Sequence, residues 1–122
     1  MGPVISVVDD DMSFRRATAR LIHSLGHAVE SFGSAEEFLC SGRLEDTACL
    51  VSDVKMPGMD GIELQRRLRR QGCRLPVIFI TAHPGTNVRN QALASGAVGF
   101  LNKPFRDEEL ISCLDRALVA KA

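Results

Sequence analysis

Five short runs rich in apolar and β-branched residues recur along the chain, at 4–8, 28–32, 48–52, 75–80 and 98–101. Each is followed by a segment with helical spacing. In the first helical segment Phe14, Thr18, Leu21, Ile22 and Leu25 share a face, and in the last Leu110, Ile111, Leu114, Ala117 and Leu118 do. Ser34-x-x-Glu37 and Asp60-x-x-Glu63 read as capping boxes at two helix starts, and Gly26, Gly72 and Gly96 read as helix stops. Strands alternating with helices must join by crossovers, so the pattern predicts a parallel sheet with helices on both faces. Right-handed crossovers make this a doubly wound α/β fold of five βα units. With 122 residues, 45% of them hydrophobic, the chain reads as a single domain over 1–122 with one core, without repeats, low-complexity tracts or linkers.

Charge narrows the function classes. Lys+Arg and Asp+Glu number 15 each, giving a net charge of zero, which argues against direct nucleic-acid binding. The run Arg66, Arg67, Arg69, Arg70, Arg74 falls on and after the last turns of the third helix, where cations suit the helix dipole, and reads as a solvated face. No apolar stretch is long enough to span a membrane, and 1–8 has no basic region of a signal peptide, so a cytoplasmic location is expected. Cys40, Cys49, Cys73 and Cys113 lack CxxC spacing and read as reduced, mostly core thiols, a metal site being the minor alternative. His23 and His27 stand four apart, but Gly26 ends the helix between them, which removes a zinc pair on one helix face.

In an open parallel sheet, ligand chemistry lies outside the carboxyl ends of the strands. The predicted ends carry Asp9-Asp10-Asp11, then Asp53, then Thr81-Ala82, then Asn102-Lys103-Pro104-Phe105. Alone, each has a plain reading: a solvated acidic turn, a loop cap, a turn hydroxyl, a surface lysine. Together they bring acids, a hydroxyl and an amine to one sheet edge. Clustered carboxylates repel one another and hold protons more tightly unless a cation relieves them. Oxygen ligands without His or Cys favour Mg²⁺, with Mn²⁺ as a substitute. A carboxylate such as Asp53 can attack phosphorus to form an acyl phosphate, with Lys103 supplying positive charge and Thr81 a hydroxyl donor.

The motifs VVDDD (7–11), SDVKMPGMDG (52–61), FITA (79–82) and FLNKPF (100–105) resemble the receiver domains of bacterial two-component response regulators, over essentially the whole chain and in order. The resemblance implies a flavodoxin-like fold with strand order 2-1-3-4-5. It also implies Asp53 as phosphoacceptor, with Mg²⁺ touched by Asp10, Asp53 and the Lys55 backbone carbonyl and by Asp9 through water. Thr81 and Lys103 would hold the phosphoryl group, the Lys103–Pro104 bond would be cis, and Asp11 would be a neighbour of the site. The donor would be a sensor histidine kinase.

In such a switch Thr81 moves toward the phosphoryl group and Phe100 swings inward behind it, repacking the surface formed by 86–95, 98–101 and 107–120. The alternative is a Phe100 buried in both states. That same surface is the expected face of a phosphorylation-dependent homodimer. Lys55 could pair with Asp10 or Asp11 and compete with Mg²⁺, or be solvated, and His83 stands where the family tunes loss of the phosphoryl group. SAEEFL (34–39) and the segment GAVGFLNKPF are most similar to the FixJ-type subgroup, whose members carry a DNA-binding output domain that these residues do not include. The expected output is therefore transcription. The alternative is a degenerate or stand-alone receiver acting by protein binding. A remote alternative, an aspartyl-phosphate phosphohydrolase, would want an acid two residues beyond Asp53, where Lys55 stands. A flavin module would not place Asp9-Asp10-Asp11 in its phosphate loop, and the chain has no Trp or Tyr.

Overall fold

The computed structural model describes residues 4–82 and 85–121, so His83 lies outside the described residues. The elements run β1 (Val4–Val8), α1 (Met12–Ser24), β2 (Ala28–Phe32), α2 (Ala35–Cys40), β3 (Thr47–Asp53), α3 (Gly61–Arg70), β4 (Val77–Thr81), α4 (Thr86–Ala94), β5 (Gly99–Asn102) and α5 (Asp107–Lys121). All strand pairs are parallel, in the order β2-β1-β3-β4-β5. The expected flavodoxin-like doubly wound fold is what forms.

Strand alternation divides the core in two. Val8, Leu50, Val77 and Phe79 point to one face and pack with Phe38, Leu64, Leu68 and Ala92 from α2, α3 and α4. Ile5, Val7, Val51, Ile78 and Ile80 point to the other and pack with Ile22 of α1 and Leu110, Leu114 and Ala117 of α5. Of the predicted helical faces, Thr18, Ile22, Leu110, Leu114 and Ala117 are buried and Phe14, Leu21, Ile111 and Leu118 half-buried, with one correction. Leu25 is the C-cap of α1 and is exposed, because the helix stops before it can turn that side chain onto the sheet. The N-cap half of both predicted boxes forms: the Ser34 hydroxyl accepts from the Glu37 N–H at 3.0 Å and the Asp60 carboxylate from the Glu63 N–H at 2.8 Å, while Glu37 in return accepts from the Gly33 N–H at 3.2 Å, one residue before the cap. Gly26, Gly72 and Gly96 all have positive φ, as helix-ending residues do.

At their carboxyl ends β3, β4 and β5 each run one residue further than the sequence pattern predicts; β3 also starts one residue earlier, and β4 and β5 start two and one residues later. Asp53 pairs with Ile80 and Thr81 with Asn102 in the ladder, so the chemistry-bearing residues are the last rungs of their strands. All four cysteines are free; Cys49 and Cys113 are buried, Cys73 is half-buried and Cys40 is exposed, so only half fit the core reading.

Gly61 is the tightest point near the site. A Cβ there would collide with the Asp53 carbonyl oxygen, because the first residue of α3 lies directly against the end of β3. Its N–H donates to the Val54 carbonyl at 2.9 Å, which fixes that approach. Gly61→Ala should therefore destabilise the fold by about 1–3 kcal/mol, the usual range for overpacking, read from the midpoint of urea unfolding.

Candidate functional site

Strand order reverses between β1 and β3, and the crevice outside their carboxyl ends is where this fold binds ligands. Asp9 follows β1 and Asp53 ends β3, and both are buried. Lys103 follows β5 and reaches back over β4. Its Nζ lies 3.0 Å from Asp9 Oδ2 and 3.1 Å from Asp53 Oδ2. The lysine side chain retains only 13% of its exposure, so this contact is shielded from the solvent screening of a surface ion pair but carries the cost of desolvating its charges. The backbone sets the reach: the Lys103 N–H donates to the Thr81 carbonyl at 2.8 Å. Thr81 itself is buried at the end of β4. The Lys103–Pro104 peptide is cis.

Asp9 is held from several sides. Its Oδ1 accepts from the Asp11 N–H at 2.9 Å, and its carbonyl accepts from the Arg15 guanidinium at 2.9 Å. Asp10 is exposed, but one oxygen from each of Asp9, Asp10 and Asp53 lies within 4.8 Å of the others. These three carboxylates face one ammonium, and the excess negative charge suits a hard divalent cation bound through oxygen. The site residues brought together are thus Asp9, Asp10, Asp53 and Lys103, with Thr81 on the neighbouring strand. Lys55 is exposed and, among the described residues, makes no ion pair, which is the solvated alternative.

Burial raises the Asp53 pKa above its ordinary value, the Asp9 charge adds to this, and Lys103 opposes it. For Lys103, burial acts to lower the pKa, but hydrogen bonds to Asp9 and Asp53 outweigh it and the net shift is upward. Phe100 is half-buried against the α3/α4 side of the core. It pairs with Phe79, and Thr81 stands two residues beyond Phe79 on the same sheet face.

Three residues near the site carry interactions that the sequence pattern did not single out. Arg15 is one. Glu36 of α2 is another: its Oε2 accepts from the Met59 N–H at 3.1 Å and lies against Gly58, pinning the loop after β3. Its carboxyl is held below the ordinary value by its own amide first and by that of Met59 second. Phe14 is the third, its ring facing Lys103 Nζ. A separation of 23 residues hides the Glu36 contact from any local pattern. The basic run on α3 is mostly solvated, with Arg67 and Arg70 near Glu63 at 3.7 and 3.9 Å.

Fold and site together define a flavodoxin-like α/β protein with a charged, carboxylate-rich centre at its switch point. The family profile of the response regulator receiver domain matches residues 5–115, and the chain belongs to that family. It is similar to nodulation protein W of Bradyrhizobium diazoefficiens, 44% identical over 111 residues, 91% of this chain and 49% of that protein. Transcriptional regulatory protein FixJ of the same organism is 39% identical over 93% of this chain and 56% of its own length. Among solved structures, the response regulator StyR superposes with a TM-score of 0.91 at 41% identity, over 99% of this chain and 61% of that one. FixJ-N gives 0.87 at 35% identity, over 98% and 95%. The chain is thus a FixJ-type receiver of two-component signalling, and it spans about half the length of the curated relatives it matches. No helix among the described residues is long and apolar enough to cross a membrane.

The raised pKa of Asp53 has a stability consequence. A carboxyl that binds its proton more tightly when folded contributes stability below its unfolded pKa, near 3.8, and loses it as pH rises through the folded value. Asp53→Asn removes that loss. In chelator-treated protein the variant should melt above the wild type at neutral pH, with the gap closing below the ordinary carboxylate range. A gap independent of pH would contradict the assignment.

Proposed function

We propose that this receiver accepts a phosphoryl group from a sensor histidine kinase onto Asp53 and passes the change to the surface of α4, β5 and α5, controlling an attached output in transcription. The observation that carries this reading is the Lys103 ammonium shared between the buried carboxylates of Asp9 and Asp53. A carboxylate oxygen of Asp53 attacks phosphorus as the bond to the donor breaks. Lys103, within 3.1 Å of that carboxylate, neutralises the incoming phosphoryl oxygens, and the Thr81 hydroxyl donates to another. Asp10, Asp53 and the Lys55 carbonyl would hold Mg²⁺, or Mn²⁺ in its place, with Asp9 acting through water. Both Asp9 oxygens already accept hydrogen bonds, which supports its indirect role. When bound, the cation supplies charge neutralisation on the phosphoryl oxygens.

A phosphoryl group adds about 1.5 to 2 negative charges and strong acceptors. Thr81 turning toward it leaves room on the face it shares with Phe100, and the half-exposed Phe100 ring can move inward. That face joins α4, which buries Ala92 but exposes Leu93. The exposed leucine beside Phe100, with Arg89, Arg106 and Glu109 nearby, supports self-association here after phosphorylation.

Incubation with acetyl phosphate and Mg²⁺ should give one phosphoryl adduct by intact mass, absent without Mg²⁺ and absent in Asp53→Asn. An adduct persisting in Asp53→Asn would move the acceptor elsewhere. Light scattering should show the mass doubling with beryllofluoride in wild type, and a charge-reversing Arg89→Glu should suppress it. Equal masses with and without beryllofluoride would reject the dimer.

A further inference from the structure

The ammonium of Lys103 touches more than its two carboxylates. Its Nζ sits 4.2 Å from the centroid of the Phe14 ring, over the ring face. Phe105 meets Phe14 edge-on, with centroids 5.6 Å apart and planes at 78°, so a second ring packs against the first. The Phe14 backbone is fixed as well. Its N–H donates to Asp11 Oδ1 at 3.1 Å, and the Asp11 N–H donates in turn to Asp9 Oδ1 at 2.9 Å. The circuit closes through the other Asp9 oxygen, which accepts from Lys103.

We propose that Phe14 is a positioning residue for Lys103, its ring face holding the ammonium over the Asp9–Asp53 pair. The inference rests on the phosphoacceptor reading above and names a residue that tunes it. A lysine stem has four rotatable carbons and, without a wall, could swing its amine into water. The ring supplies that wall and attracts the cation through its quadrupole, an interaction worth more where water is excluded. It offers no hydrogen bond that would compete with the carboxylates or with an arriving phosphoryl oxygen. Asp11, which lies outside the cation cluster, gains a function as the N-cap that sets where the ring stands.

The test uses the intact chain and two readouts. In wild type the ring current of Phe14 should shift the Lys103 ε-methylene proton resonances upfield, and Phe14→Leu should abolish the shift while the other methyl resonances of the core stay in place. The rate of adduct formation from acetyl phosphate at saturating Mg²⁺ should fall about 2- to 10-fold in Phe14→Leu, with the Mg²⁺ concentration for half-saturation little changed. A fluorinated phenylalanine introduced at position 14 keeps the ring's shape and drains its face of negative charge, so its rate should fall between those two. A rate in Phe14→Leu equal to that of wild type, or a fluorinated ring as fast as the native one, would overturn the proposal. A wild type that forms no adduct but shows the upfield shift would instead count against the phosphoacceptor reading and leave the placement of the lysine intact.

Discussion

Lys103 Nζ lies about equally far from Asp9 and Asp53, at 3.0 and 3.1 Å, and the rest of the site is organised by that shared charge. Two carboxylates that close would repel each other if both were ionised and unaccompanied. One ammonium relieves the pair only in part, and the third carboxylate, Asp10, restores the excess. A centre left with surplus negative charge and only oxygen donors is prepared for a hard cation and, through it, for a phosphoryl group. The lysine thus keeps the acids together in the fold without satisfying them.

The sheet makes this arrangement possible because all five strands run the same way and end at the same edge. Parallel pairing puts Asp53 beside Ile80 and Thr81 beside Asn102, one residue before Lys103. It also gives Thr81 and Phe100 a common face, packed toward α4 rather than toward α1 and α5. A change at the acidic edge therefore has a short route to one outer surface.

Much of this was legible in the chain alone. Strand and helix alternation predicts the architecture because crossover geometry leaves few other solutions. The caps at Ser34 and Asp60 and the stops at Gly26, Gly72 and Gly96 are local, so local sequence reveals them. The pattern stops the strands one residue short of Asp53, Thr81 and Asn102, because a polar residue looks like a loop until its ladder partner is known. Leu25 fits the helical period of α1, but the period does not say where the helix stops.

The chain alone carries the list of groups and their order: acids after β1, an acid at the end of β3, a hydroxyl at β4, a lysine after β5. Those follow from short-range pattern and from the one-edge rule of parallel sheets. Which atoms meet depends on the folded packing. It buries Asp9 and leaves Asp10 exposed, although the two are adjacent. It brings Glu36 to the Met59 amide and the Phe14 ring to the Lys103 ammonium. Contacts between distant segments depend on strand register and helix packing, and no spacing along the chain encodes them.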